Sequence, residues 1–164
     1  MPENNNIWNS RPEERWFAMI ESASNLAQYI IAHFFAKNEE INNLKLQKLL
    51  YYCQAWHLAL HEKPLFEDRI EAWVHGPVVP NVFREYKSFR WSPVKANGLY
   101  NPNPEAKSHI DEILAAYGHF SSWDLERLTH NDAPWKEARG GLPPDVPSNN
   151  VISHESMKNF YRQQ

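Results

Sequence analysis

Residues 44–61 read LKLQKLLYYCQAWHLALH, and this stretch decides the fold. Lys45, Gln47 and Lys48 are polar near its start, but from Leu49 to Leu60 only Gln54 and His57 are clearly polar. A helix that is apolar almost all round is surrounded by the rest of its domain. The expected fold is therefore mainly α: a single compact helical domain built around this central hydrophobic helix. Leu46, Leu49, Leu50, Cys53 and Trp56 are its expected core residues.

On the N-terminal side, Phe17, Ile20, Ala23, Ala27, Ile30, Ile31 and Phe34 recur at spacings of three and four between about Pro12 and Lys37. That period predicts one or two amphipathic helices, with a break near Ser22–Ser24. The run AKNEEIN interrupts it, and Asn42 or Asn43 suits the N-cap of the central helix. Residues 1–12 are Asn-rich and polar, the composition of a poorly ordered terminus, so the domain is expected over 13–164.

Downstream, the period changes. In KPLFEDRIEAWVHGP, Ile70, Ala72 and Val74 alternate with Glu71, Trp73 and His75, which predicts a small β element near residues 68–76. Pro77 and Pro80 suit a helix start, and a helix is expected over about Val78–Phe89. Asn97-Gly98 has the chemistry of a small hairpin turn. Asn103-Pro104 opens a helix that buries Ile110, Ile113, Leu114 and Tyr117 and stops near Gly118. Ser121 with Asp124 resembles a capping box. The run NDAPWKEARGG adds a turn or two ended by its glycine pair, and Ser153 caps a last helix carrying Met157, Phe160 and Tyr161. There is no internal repeat and no sign of a second domain.

Composition bounds the function. A chain of 164 residues, 42% hydrophobic and 23% charged, is one globular domain. Its net charge of −3 argues against a general nucleic-acid binder, so only a local basic face would serve one. The single Cys53 lies in an apolar stretch, as a structural thiol in a reducing compartment does. The opening MPENNNIWNSRPEERW lacks the basic and apolar regions of a signal peptide, and no apolar run approaches the roughly 18–20 residues that cross a membrane. The expected location is the cytoplasm.

Chemistry is sparse. His57 and His61 stand four apart, a spacing that can chelate zinc. HLALH nevertheless lacks the metalloprotease Glu, and the expectation is packed histidines and no metal. Cys53 has no activating base at a recognisable spacing. No G-x-S-x-G, Walker A or G-x-G-x-x-G motif is present, so no cofactor is expected. A small hydrolase would have to use His75, His130 and Asp132, although THND equally suits helix capping. Arg84, Lys87 and Arg90, interleaved with Tyr86, Phe89 and Trp91, form the best basic-aromatic cluster. Such a face suits nucleic acid, as in a DNA-binding regulator, or an acidic protein surface, or solvent with its rings turned inward.

Four stretches, NNLKLQKLLYYCQAWHLAL, PLFEDRIEAWVHGPVVPNVFREYK, LERLTHNDAPWKEAR and ISHESMKNFY, together resemble the Panacea antitoxin domain, the SocA-like group also met in phage-associated proteins. The resemblance spans about residues 20–162. It implies a small cytoplasmic prokaryotic or phage protein, not an enzyme, that neutralises a toxin protein encoded beside it by direct binding. Acting as an adaptor to an ATP-dependent protease is one way the family works. Trp73, Gly76 and Pro77 match the family's strand-to-helix join, read here as a rigid corner in which Gly76 permits an unusual φ and Pro77 fixes the next one. For a binding protein, Arg84, Lys87, Arg90 and Trp91 are the expected partner anchors, with His130, Trp135 and Arg139 as the alternative surface. For Trp135 and Arg139 two readings stand: the ring packed on the central helix, and the guanidinium either free or paired. Self-association is left open.

Overall fold

The computed structural model describes residues 11–164, apart from the side chains of residues 16–19. Residues 1–10 of the segment expected to be poorly ordered, and the Phe17 side chain, lie outside the described residues. In chain order the elements are α1 (Pro12–Met19), α2 (Ala23–Ala36), α3 (Asn43–His61), β1 (Glu71–Trp73), β2 (Gly76–Val78), α4 (Pro80–Tyr86), a 3-10 turn (Lys87–Phe89), α5 (Pro104–Tyr117), α6 (Ser122–Asn131), α7 (Ala133–Arg139) and α8 (His154–Tyr161). The fold is mainly helical with a two-stranded antiparallel sheet.

Side-chain caps set most of the helix starts. Ser22, Asn42, Asn103, Ser121 and Ser153 each accept a hydrogen bond from the backbone N–H three residues on, satisfying a donor the helix itself leaves open. α3 is the central element and touches α2, α4, α5, α6, α8 and β2. Leu46, Leu49, Leu50 and Cys53 are fully buried. Trp56 is only partly buried and donates Nε1–H to the Tyr117 hydroxyl at 2.9 Å.

The polar residues of α3 are buried as well. Gln54 donates to the Phe66 carbonyl at 2.6 Å and accepts from Leu65 N–H at 2.7 Å. Gln47 accepts from Val79 N–H at 2.9 Å, and Lys48 donates to the Pro77 carbonyl at 3.0 Å. Each side chain is thereby paired with backbone groups of the 65–79 segment, as buried polar groups must be. The central helix thus holds the hairpin by hydrogen bonds as well as by packing.

That hairpin corrects the expected strand-to-helix join. The chain turns back at Val74–His75, and β2 pairs with β1 in the register Glu71↔Val78, Ala72↔Pro77, Trp73↔Gly76. Pro77 is therefore a strand residue, and the helix begins only at Pro80. Ala72 donates its N–H outward to Asn150 at 2.9 Å, and the Pro77 carbonyl points outward to Lys48. The pair thus faces itself without ladder hydrogen bonds, and the missing proline N–H costs nothing there. The far edge of β1 is covered by residues 150–152, where Ile152 N–H donates to the Ile70 carbonyl at 2.8 Å. Two smaller corrections follow. The helix expected over Val78–Phe89 stops at Tyr86, and no hairpin forms at Asn97-Gly98, because β1 and β2 make the only sheet among the described residues.

No helix among the described residues is long and apolar enough to cross a membrane.

Candidate partner-binding groove

The 3-10 turn after α4 ends at Arg90, whose φ of +54° reverses the chain. Trp91 thereby folds back toward the hairpin turn, its ring 6.1 Å from that of His75 and nearly perpendicular to it. On the hairpin side, Trp73 meets Phe83 edge to face at 4.9 Å and donates Nε1–H to Glu71 at 2.6 Å, which fixes its ring. Between these walls lies a cavity of about 570 Å³, floored by Leu44, Val74 and Val78 and rimmed by Lys87, Arg90 and Trp91. Trp91 is 68% exposed. Neither Lys87 nor Arg90 enters a salt bridge among the described residues.

Of the four expected anchors, three line this groove. Arg84 lies on an adjoining shallower depression that shares Trp73, Pro147 and Ser148 with it, and it donates to Asn81 at 2.6 Å. The interleaved aromatics divide: Tyr86 is fully buried, Phe89 partly so, and Trp91 stands open. Sequence reasoning did not place Trp73 and His75 in this wall. Their alternation with Ile70 and Ala72 was the available signal, since alternate strand residues face opposite sides.

Beneath the hairpin turn a polar cluster runs from buried Lys48 and Glu126 out to the exposed ring of His75. Burial pulls the pKa of Lys48 down to about 7, while Glu126 pulls it back up. Glu126 lies 3.1 Å from His75 Nδ1 and 4.0 Å from His130 Nε2. His130 stacks on Trp135 at 4.1 Å, and burial lowers its pKa. Asp132 is engaged elsewhere: it accepts the Tyr161 hydroxyl, and burial pushes its pKa up to about 6. The residues a hydrolase would need are thus not brought together. The two histidines converge on Glu126, and the Thr129 hydroxyl donates to the Glu126 carbonyl at 2.9 Å.

The alternative surface is also corrected. Trp135 is buried and donates Nε1–H to the Trp73 carbonyl at 2.8 Å. Arg139 is 2% exposed. Its guanidinium lies over the Trp135 ring and donates to the carbonyls of Ala72 at 3.1 Å, Pro143 at 2.8 Å and Val146. These side chains tie β1 to the 143–146 loop and are not open to a partner.

His57 and His61 have ring centroids 4.6 Å apart, and His109 joins them. The His57 Nδ1–H donates to the Lys63 carbonyl at 2.6 Å and the His109 Nε2–H to the Cys53 carbonyl at 2.8 Å. Among the described residues no group of His, Cys, Asp and Glu is arranged to hold a metal ion. Burial pushes the Cys53 thiol up, so it stays protonated.

The pattern of the family described as antitoxin SocA-like, Panacea domain, matches residues 46–136, which is more than half of the chain and includes the hairpin, α4 and Trp91. The chain belongs to the SocA-like Panacea family. Among curated proteins it is similar to the antitoxin SocA of Caulobacter vibrioides (strain NA1000 / CB15N), with 29% identity over 136 residues, covering 74% of this chain and 72% of that protein. No solved structure matches. Membership in the Panacea family supports an antitoxin role, with a toxin as the partner in general terms and no enzymatic activity implied. The matched stretch holds both walls of the groove, while Leu44 of its floor, Pro147, Ser148 and α8 lie outside it.

Proposed function

We propose that this chain is an antitoxin that neutralises a toxin protein by direct contact in the groove between the hairpin turn and Trp91. The observation that carries this reading is Trp91, exposed over an apolar floor beside two cations that enter no salt bridge among the described residues. Interface energy concentrates on a few large Trp and Arg anchors, and here they stand outside the core. Because the chain as a whole carries a net charge of −3, the cationic rim selects an acidic patch on the partner and steers its approach.

Co-expression with the toxin encoded beside it provides the test. Lys87→Glu with Arg90→Glu should abolish protection from growth arrest while the purified variant stays folded. Protection retained by that folded variant would overturn the groove as the docking site. Delivery of the toxin to an ATP-dependent protease in the cytoplasm is a second route for such a complex, and a toxin half-life shortened by co-expression would identify it.

A further inference from the structure

A second cavity, of about 440 Å³, opens between α2 and the 93–99 loop. It lies beyond the crossing where Val94 N–H donates to the Ile41 carbonyl at 2.9 Å. Ile31, Ile41 and Val94 form its buried floor, and two large apolar side chains stand open beside it: Phe35, 77% exposed, and Leu99, 94% exposed. It shares no lining residue with the groove at Trp91. Single exposed leucines are ordinary, but large apolar side chains gathered around one cavity mark an interaction site.

The charges at this cavity differ in kind from those at the groove. Glu39 and Glu40 come from the α2–α3 connection and Lys95 from the facing loop. None of the three enters a salt bridge among the described residues. A rim of one sign needs a partner of the other sign. A rim with its two signs on opposite sides of an apolar centre suits a second copy of itself, because a two-fold axis between the α2–α3 connection and the 93–99 loop carries Lys95 of one copy to the side of Glu39 and Glu40 in the other.

We propose that a second copy of this chain occupies the Phe35–Leu99 cavity, forming an isologous dimer in which Lys95 of one copy faces Glu39 and Glu40 of the other. The cavity has no lining residue in common with the Trp91 groove, so this dimer does not depend on the antitoxin reading.

Sedimentation velocity over a wide concentration range tests the proposal with the protein alone. The wild-type chain should sediment at twice its mass of 19.3 kDa as concentration rises. Leu99→Glu should weaken association by about tenfold or more, because it sets an unpaired charge in an apolar contact. A charge-swap pair carries the test if that variant fails to fold. Glu39→Lys with Glu40→Lys should be monomeric alone, Lys95→Glu likewise, and the two mixed should form a heterodimer. A wild-type chain that stays monomeric throughout, a dimer that none of these changes disturbs, or two monomeric swap variants that fail to associate when mixed would each overturn it.

Discussion

Lys48 and Gly76 fill a single space: a Cβ on Gly76 would stand 2.7 Å from Lys48 Cε and 2.9 Å from Thr129 Oγ1. Gly76 also has a φ of +101°, a conformation open to glycine and strained for other residues. The hairpin can pack on α3 because this position has no side chain. Gly76→Ala should therefore destabilise the fold by about 2–5 kcal/mol, from backbone strain and overpacking together. Chemical denaturation measures it, and an unchanged midpoint would show that the contact relaxes freely.

Lys48 gives a signature in pH. Its folded pKa of about 7 lies below the ordinary lysine value of 10.5. Between those values the unfolded chain holds a proton that the folded chain has lost, so this contribution to stability rises as pH increases from about 7. Below that window the burial penalty on the ammonium is fully present. The stability difference between wild type and Lys48→Met, followed from pH 6.5 to 9.5 (about the titration window), should shift in favour of wild type as pH rises. A difference independent of pH would place the ammonium in a solvated setting.

Asp132 works in the opposite sense. Burial raises its folded pKa from the ordinary 3.8 to about 6, with the Tyr161 hydroxyl bond acting against that shift. The folded chain holds the extra proton between those values, so the stabilising contribution is present below about pH 4 and is lost as pH rises through 6. Asp132→Asn keeps an uncharged acceptor for Tyr161 and should be the more stable chain at neutral pH by about 1–2 kcal/mol. That advantage should vanish at acid pH. Thermal unfolding of both proteins at the two ends of the range decides it.

Arg139 tests the correction to the alternative surface. Its removal takes a charged donor from three carbonyls. Pro143 still accepts from Val146 N–H, while the buried Ala72 acceptor is left at a cost of about 1–3 kcal/mol, to which the lost packing on Trp135 adds. Arg139→Ala should therefore lower stability by about 3 kcal/mol or more. At a temperature where the variant is still folded, its toxin affinity should be unchanged. A stable variant with weakened binding would restore this side chain as an anchor.

In the Trp91 groove, charge and apolar contact should separate kinetically. Arg90→Glu should slow association with the toxin and blunt its salt dependence, because rim charge steers encounter. Trp91→Ala should instead speed dissociation, at a cost of about 1–2 kcal/mol in affinity. Surface plasmon resonance resolves the two rates, and an unaltered dissociation rate for Trp91→Ala would remove the ring from the interface.

By itself the sequence determined the elements whose signals are short-range. The apolar run of 44–61 can only be a surrounded helix, and Asn42, Asn103, Ser121 and Ser153 declare helix starts through bonds made within three residues. The basic-aromatic run 84–91 was visible for the same reason, since its members lie within eight residues of one another. Tertiary structure alone decided the rest. Pro77 became a strand residue because Lys48, 29 residues away in the chain, donates to its carbonyl and holds the hairpin against α3. Lys48 read only as a polar residue and Arg139 as free or paired, and it is the carbonyls of Pro77 and Ala72, 29 and 67 residues away, that hold them in the interior. The groove joins α3, the hairpin, the turn at Arg90 and the 147–148 loop. No local period encodes such a meeting, because it exists only once the central helix has brought those segments to the same side.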